Sequence, residues 1–395
     1  MKQGWEIKKL GEIGKVSMCK RVFKEDTTPD GDIPFYKIGT FGKSPDAFIT
    51  KEKYDEFRSK FSFPKKGDIL ISASGTIGRR VRYDGEPAYF QDSNIVWIDN
   101  NEKQVLNDYL YRFYEICNWQ STKGATISRL YNDNLRQIEI PFPKSLSEQK
   151  QIVFLLDEAF AAIEKAKANA QQNLNNAKEL LEVFLHKYFT NKEEGWEVKR
   201  LKDVADYFNG LTYSPKDVND KGIIVLRSSN IQNDKLDFSD IVRVNVSVKD
   251  KIIVKDGDIL MCSRNGSKRL VGKTAPIEKL PEQMTFGTFM MIVRSNYNPY
   301  LLWFFKSLDF KKQISGGENT MINQITRYML DDIVVSFPPI EKQMEIVKQL
   351  DAIYNESQKL ESIYLKKIND LEELKKSILQ KAFAGELKTE KAVVV

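Results

Sequence analysis

The sequence predicts an α+β chain: two mixed α/β globules related by pseudo-twofold symmetry and separated by a long antiparallel two-helix coiled coil. Three observations carry that prediction. The chain repeats itself once, each repeat changes composition abruptly near its end, and the changed stretches carry a helical seam of non-polar residues.

The repeat is read first because it fixes the architecture. Gly4-Trp5-Glu6-Ile7-Lys8-Lys9-Leu10 returns as Gly195-Trp196-Glu197-Val198-Lys199-Arg200-Leu201, with five identities in seven. Gly67-Asp68-Ile69-Leu70 returns as Gly257-Asp258-Ile259-Leu260, Tyr109-Leu110 as Tyr300-Leu301, and Phe142-Pro143 as Phe337-Pro338. Gln149, Ile152-Val153 and Leu156-Asp157 return as Gln343, Ile346-Val347 and Leu350-Asp351. The offset stays between 190 and 195, so the copies differ by loop-sized insertions.

The first part of each copy has short β-branched or aromatic runs, such as Asp68-Ile69-Leu70-Ile71-Ser72 and Ser93-Asn94-Ile95-Val96-Trp97-Ile98, punctuated by Gly, Pro, Asn and Asp. After Pro141-Phe142-Pro143 and Phe337-Pro338-Pro339 that punctuation stops, and a long helix is expected. The domains read as residues 1–144, a central helix at 145–190, a second globule at 191–339, a C-terminal helix at 340–384 and a tail at 385–395.

On alternating steps of four and three, the first helix presents a seam of Ile152, Leu156, Ala159, Ile163, Ala166, Ala170, Asn173, Ala177, Leu180 and Phe184. The second presents Ile346, Leu350, Ile353, Ser357, Leu360, Tyr364, Lys367, Leu371, Leu374 and Ile378. Antiparallel pairing sets small against large: Ala159 faces Leu371, Ala166 faces Tyr364, Ala170 faces Leu360 and Ala177 faces Ile353. The same register sets Asn173 opposite Ser357 as a polar layer, with Lys367 left to snorkel to solvent.

Composition narrows the function. Hydrophobic residues make up 41% and charged residues 29% of the 395, a folding composition with no apolar stretch of membrane-spanning length, and a cytoplasmic location is expected. Cys19, Cys117 and Cys262 lie far apart, which argues against a zinc ribbon or a disulfide framework. One histidine, His186, leaves little room for a Ser-His-Asp triad or a His-rich metal site, and its place near a helix end suits a dipole-facing cation. No G-x-x-x-x-G-K-[ST] phosphate loop occurs. The Asn/Asp-Pro-Pro-aromatic loop of an adenine methyltransferase is also missing: Asn298-Pro299-Tyr300 lacks the second proline and Phe337-Pro338-Pro339 lacks the leading amide or carboxylate. Pro45-Asp46 with Glu52-Lys53 has the wrong spacing for a nuclease. The net charge of +6 comes from the two globular segments, which is compatible with phosphate contact.

Taken together, the paired Gly-Trp-Glu openings, the Gly-Asp-Ile-Leu turns, Gly75-Thr76-Ile77-Gly78-Arg79, Leu226-Arg227-Ser228-Ser229-Asn230-Ile231, the segments around Glu148-Gln149 and Gln343, and the ending Ser377-Ile378-Leu379-Gln380-Lys381-Ala382-Phe383-Ala384-Gly385-Glu386-Leu387 form a pattern. In their order and duplication they resemble the specificity subunit of a type I restriction–modification system. The resemblance covers essentially the whole chain. It implies that the globules are target recognition domains, and that the chain is a non-catalytic DNA-binding subunit for a bipartite, asymmetric site. The implied partners are double-stranded DNA, two methyltransferase subunits and motor–nuclease restriction subunits. No cofactor is implied in this chain; S-adenosylmethionine, ATP and Mg are expected on those partners. A tandem-repeat coiled-coil scaffold without DNA readout is the alternative.

DNA readout needs forked or amide donors near base edges, and cations or hydroxyls near phosphates. In the first globule the candidates are Tyr36, Lys37, Lys43, the cluster Arg79, Arg80 and Arg82 after a glycine-rich turn, Gln91, Asn94, Lys123 and Arg129. In the second they are Arg227, Asn230, Gln232, the loop Arg264, Asn265, Lys268 and Arg269, and then Asn323, Gln324 and Arg327. Both Arg-rich loops crowd like charges, which repel unless an anion is near. Asp68 and Asp258 read as turn formers, and Trp5 and Trp196 as core anchors.

Overall fold

The computed structural model describes residues 2–119, 130, 132–190, 194–315 and 323–387. The chain forms two units, one of residues 1–170 with 366–395 and the other of residues 171–365. Each unit contains one globule and parts of both long helices, Leu146–Thr190 and Ile340–Phe383.

The repeat in the sequence is a repeat in the fold. In the first unit Trp5–Lys9 pairs antiparallel with Glu139–Pro143, so the globule's first strand lies on its last. A four-stranded antiparallel sheet runs in the order Gly14–Ser17, Ile95–Asn100, Ile69–Ser72, Arg80–Arg82. A smaller mixed sheet holds Phe48–Ile49, Ile33–Tyr36 and Tyr89–Phe90. The second unit repeats this plan. Glu197–Arg200 pairs with Val334–Phe337, four strands run Asp206–Asn209, Met290–Arg294, Ile259–Cys262, Thr274–Pro276, and three run Arg243–Val244, Val218–Leu226, Met284–Phe286. Register agrees too, since Leu70 pairs with Trp97 as Leu260 pairs with Ile292. One addition marks the second unit, a hairpin of Ile231–Gln232 and Lys235–Leu236 turned by Asn233 and Asp234 at φ 48° and 61°, a left-handed pair suited to a tight hairpin turn.

Local chemistry explains the shared motifs. Ile69–Ser72 and Ile259–Cys262 are buried throughout, which is why they read as continuous apolar runs rather than alternating ones. The carboxylates of Asp68 and Asp258, both buried, each accept the N–H three residues earlier, from Lys65 and Lys255, at 2.8 Å. Gly67 and Gly257 supply the positive φ of that turn. Beyond it the copies part. Burial holds the Asp68 carboxyl above its ordinary range, whereas Asp258 is clamped by the Arg294 guanidinium at 2.6 and 2.7 Å. Trp5 is buried and Trp196 packs against the second core.

The long helices are tied to the globules at both ends. Near their starts, the buried amide of Gln149 donates to the carbonyls of Pro143 and Gln104 and accepts from Leu106 N–H, and Gln343 donates to the Pro338 carbonyl. At their ends they serve the other copy's globule. The Phe383 ring packs against Tyr109 and Phe113 with centroids 4.9 and 5.5 Å apart. Phe189 does the same with Tyr300 and Phe304 at 5.1 and 5.6 Å.

These contacts make the pairing of the helices antiparallel within each unit. In the first, Ile152, Leu156 and Ile163 share a core with Leu371, Ile378, Leu379 and Phe383, flanked by the ion pairs Lys167–Glu372 and Lys375–Glu164. In the second, Phe184, Leu185 and Phe189 share one with Ile346 and Leu350. The expected register and period need correction. Ser357 is buried, but its hydroxyl donates to the Ala177 carbonyl, one turn on from Asn173, and Asn173 is exposed. Leu180 and Leu374 are also exposed rather than in the seam. Ile353, Leu360, Tyr364, Leu371 and Ile378 are half-buried, and Lys367 is exposed. The seam holds at Ile152, Leu156, Ile163, Ala170 and Ala177, all buried, but beyond them the buried positions move to Leu174 and Leu185 on the first helix and, past Ser357, to Ile368 and Leu379 on the second, of which Ile368 is half-buried. A strict heptad drifts by about 20° per repeat on a helix of 3.6 residues per turn. Over three heptads that moves the seam most of the way to the next residue.

Gly385 ends the second helix in the left-handed region at φ 75°, and a Cβ there would lie 3.2 Å from the Lys2 side chain and 3.3 Å from Trp5. The end of the helix therefore returns to the start of the chain. Joining Val395 to Met1 through a short flexible linker and opening the chain near Asn191 is expected to give a folded permutant. Thermal unfolding checks this: its midpoint should fall within roughly 5 °C of the parent. An insoluble permutant from a soluble parent would contradict it.

Candidate nucleic-acid interface

In the first globule the candidate residues divide by what holds them. Tyr36 stacks on Phe90 at 5.8 Å, Lys37 pairs with Asp46 at 2.8 Å, and Lys43 is exposed. Gln91 accepts the Ile38 N–H at 2.9 Å and Asn94 accepts the Ser74 hydroxyl at 2.8 Å. Lys123 and Arg129 lie outside the described residues. The arginine cluster is not a set of unrelieved cations. Arg79 donates to the Phe41 carbonyl at 3.0 Å, Arg80 pairs with Glu115 at 2.7 Å over the Tyr111 ring, and Arg82 pairs with Asp108. The turn before it is clamped by Ser72, whose hydroxyl donates to the Thr76 carbonyl at 2.6 Å and accepts the Arg79 N–H at 2.9 Å. The anion that relieves the repulsion is the chain's own, supplied from the segment of the helix Asn107–Phe113 and the turn after it.

The second globule differs. Arg227 is tied to Asp240 at 2.8 Å, and the buried amide of Asn230 binds Arg227 N–H and the carbonyls of Asp237 and Asp240, so both residues shape their loop. Gln232 donates to the Ser229 carbonyl at 3.0 Å. Asn265 donates to the Ser228 hydroxyl and accepts the Ser267 N–H, which closes the turn after Arg264. Arg264, Lys268, Arg269 and Arg327 are exposed, and among the described residues none has a carboxylate within ion-pair distance. Asn323 and Gln324 are exposed as well.

Three of these candidates, Arg264, Gln324 and Arg327, meet in one polar cleft of about 520 Å³ with Asn209, Thr288, Phe289 and Tyr328. Its backbone is fixed from both sides. Ser263 and Arg264 donate their N–H groups to the Phe289 carbonyl at 3.0 Å, Ile325 donates to the Ser263 carbonyl at 2.7 Å, and Arg264 forms a β-bridge with Gln324. Thr326 caps the short helix Arg327–Asp331 by accepting the Met329 N–H. The Arg264 guanidinium lies over the Phe289 ring at 5.7 Å. Phe289 and Tyr328 are 56% and 83% exposed, large areas for aromatic rings with no core to fill. Sequence reasoning missed both. Phe289 precedes Met290-Met291-Ile292 and reads as core, and nothing local distinguishes Tyr328 from its apolar neighbours Met329 and Leu330.

The first globule builds the same frame with other side chains. Ala73 donates to the Asn94 carbonyl and Leu130 to the Ala73 carbonyl. By these bonds Ser74 occupies the place of Arg264, and Asn94 that of Phe289.

Burial pushes the Cys19 and Cys117 thiols up to about 12, so both are protonated at neutral pH. Among the described residues no group of three or more His, Cys, Asp or Glu side chains could hold a metal ion. In the same residues no helix is long and apolar enough to cross a membrane.

The structure shows one duplicated frame carrying different side chains in its two copies, and comparison with known proteins names the class of protein. Residues 2–172 and 193–371 each match the family described as the type I restriction modification DNA specificity domain. The chain therefore belongs to the specificity subunits of type I restriction–modification systems, which recognise DNA sequence and are not themselves catalytic. It is 31% identical over 425 aligned residues to the putative MjaX specificity subunit of Methanocaldococcus jannaschii, covering 98% of this chain and 94% of that one. It is 61% identical over 153 residues to a putative type I specificity subunit of Haemophilus influenzae, spanning 39% of this chain and 40% of that protein. Its fold matches a solved structure of the HsdS subunit from Thermoanaerobacter tengcongensis with a TM-score of 0.62 at 18% identity, over 98% of both chains. A second structure, from work on complex assembly of the type I restriction–modification system, gives 0.77 at 17% identity over 98% of this chain and 99% of the other.

Stability measurements separate the two kinds of arginine. Arg80→Ala removes one of the two arginine partners of the nearly buried Glu115, leaving Arg112 at 2.6 Å, and is expected to cost about 1 kcal/mol, whereas Arg264→Ala should stay within about 0.5 kcal/mol of the parent. Equal losses in denaturant unfolding would contradict the assignment.

Proposed function

We propose that the chain reads a bipartite, asymmetric double-stranded DNA site, one half with each globule, and docks two methyltransferase subunits and the motor–nuclease restriction subunits. The domain boundaries are those read from the sequence, with globules at 1–144 and 191–339 joined through the two helices. One observation carries the proposal: the globules share a hydrogen-bonded frame around the cleft, but place Arg264 and Phe289 in one where the other has Ser74 and Asn94. Readers with different side chains on one scaffold select different half-sites. Lys268, Arg269 and Arg327 supply the phosphate attraction in the second globule, with Arg264, Asn323 and Gln324 beside them. In the first, Lys37, Lys43, Gln91, Lys123 and Arg129 remain the candidates. S-adenosylmethionine, ATP and Mg belong to the partner subunits, and the complex acts in the cytoplasm. Exposed apolar side chains along the helices, among them Phe154, Val183, Met344 and Ile363, favour docking there.

Replacing Arg264, Lys268 and Arg269 by Ala is expected to weaken binding to one half of the site, with each lost phosphate contact lowering the salt slope by about 0.9. Titrations of fragments bearing one half-site each check this, and an even loss for both halves would refute the division of labour. The purified chain alone should transfer no methyl group from labelled S-adenosylmethionine to DNA.

A further inference from the structure

The bridge between Arg264 and Gln324 has a consequence for which bases are read. Residues facing each other across a β-bridge project their side chains to the same face, with Cβ atoms about 5 Å apart. Both side chains are exposed and line the same cleft. Neither makes an intramolecular hydrogen bond or ion pair among the described residues, unlike Arg80, Arg82, Arg227 and Arg294, each tied to a carboxylate. Arg264 is steadied by a ring instead: its guanidinium lies 5.7 Å from the centre of Phe289. A cation near an aromatic face is attracted to it while its planar fork of N–H donors stays unspent. The backbone beneath is fixed by the bonds from Ser263 and Arg264 to the Phe289 carbonyl and from Ile325 to the Ser263 carbonyl. A pre-positioned fork beside a free amide matches adjacent purines in the major groove, because arginine binds guanine O6 and N7 bidentately and glutamine binds adenine N6 and N7.

We propose that Arg264 and Gln324 are specificity-determining residues of the second globule, with Arg264 reading a guanine and Gln324 an adenine at the neighbouring base-pair step. This rests on the reading of the chain as a two-globule DNA reader, and it assigns bases where that reading assigns only a surface. At Arg264's place in the first globule, Ser74 spends its hydroxyl on Asn94 at 2.8 Å and has no fork to offer. The guanine contact therefore belongs to one half-site only.

The test is selection from duplex pools randomised across both half-sites, using the full chain assembled with its methyltransferase subunit. The variants are Arg264→Lys, Arg264→Ala and Gln324→Ala. Arg264→Lys keeps the charge and loses the fork, so it should retain overall affinity while relaxing preference at one guanine by roughly tenfold or more. Arg264→Ala should relax the same position, and Gln324→Ala the adjacent adenine. Thermal unfolding of each variant confirms an intact fold. Full retention of the parent preference in Arg264→Ala would make Arg264 a phosphate contact and overturn the proposal, as would relaxation in the other half-site or at a base other than guanine. If the unmutated complex selected no sequence at all, the broader reading would fail instead.

Discussion

Everything in each unit depends on the docking of one helix end into the other repeat's globule. Phe383 closes the core formed by Tyr109 and Phe113, and Phe189 closes the core formed by Tyr300 and Phe304. Neither globule completes its core from its own repeat. A buried phenylalanine in such a place is worth about 3–5 kcal/mol on truncation to alanine, a large share of a domain's total stability. The antiparallel course of the helices follows, because a helix that starts on one globule through Gln149 or Gln343 must end on the other.

That dependence also explains why the repeat is so regular around the helices and so loose elsewhere. Gln149 and Gln343, Tyr109 and Tyr300, and Asp68 and Asp258 are identical because each is buried with its polar atoms spent on backbone partners. Leaving such a group unpaired costs about 1–3 kcal/mol. Where a buried carboxylate has room for a second partner the copies diverge: Arg294 clamps Asp258, while the equivalent strand of the first globule carries Asp99, which faces Lys65.

The duplicated architecture was legible in the sequence because it is written in local signals. Gly-Asp before an apolar run specifies a turn and a buried strand, and long stretches without Gly or Pro specify helices. The direction of helix pairing followed from small residues meeting large ones. The register did not, because a fixed heptad seam does not follow the drift of a straight helix along its whole length: Ala170 and Ala177 stay buried, but Leu174 replaces Asn173 and Leu185 is buried where Leu180 is exposed. Charge was the other blind spot. Arg80 and Arg82 looked as exposed in sequence as Lys268 and Arg269, but their partners Glu115 and Asp108 lie 35 and 26 residues away, beyond any local pattern. Phe289 was hidden in the opposite sense, as an apolar residue beside a core strand whose ring faces solvent.

The separation of frame from reader has a thermodynamic basis. Arg264 and Phe289 sit just past strand ends, where backbone hydrogen bonds fix the Cα positions while the side chains stay out of the core. A substitution at such a place typically changes stability by no more than about 0.5 kcal/mol, while a single bidentate base contact discriminates by about 1–3 kcal/mol. If these positions contact bases as proposed, their preference can change by more than the fold notices. The same cannot hold for Asn230, which lies one loop away but buries its amide among three backbone partners. Its replacement would disturb the loop before it altered any base preference. Position relative to the frame, rather than residue type, decides which of the polar residues in this globule keep their hydrogen-bonding groups free for an outside partner.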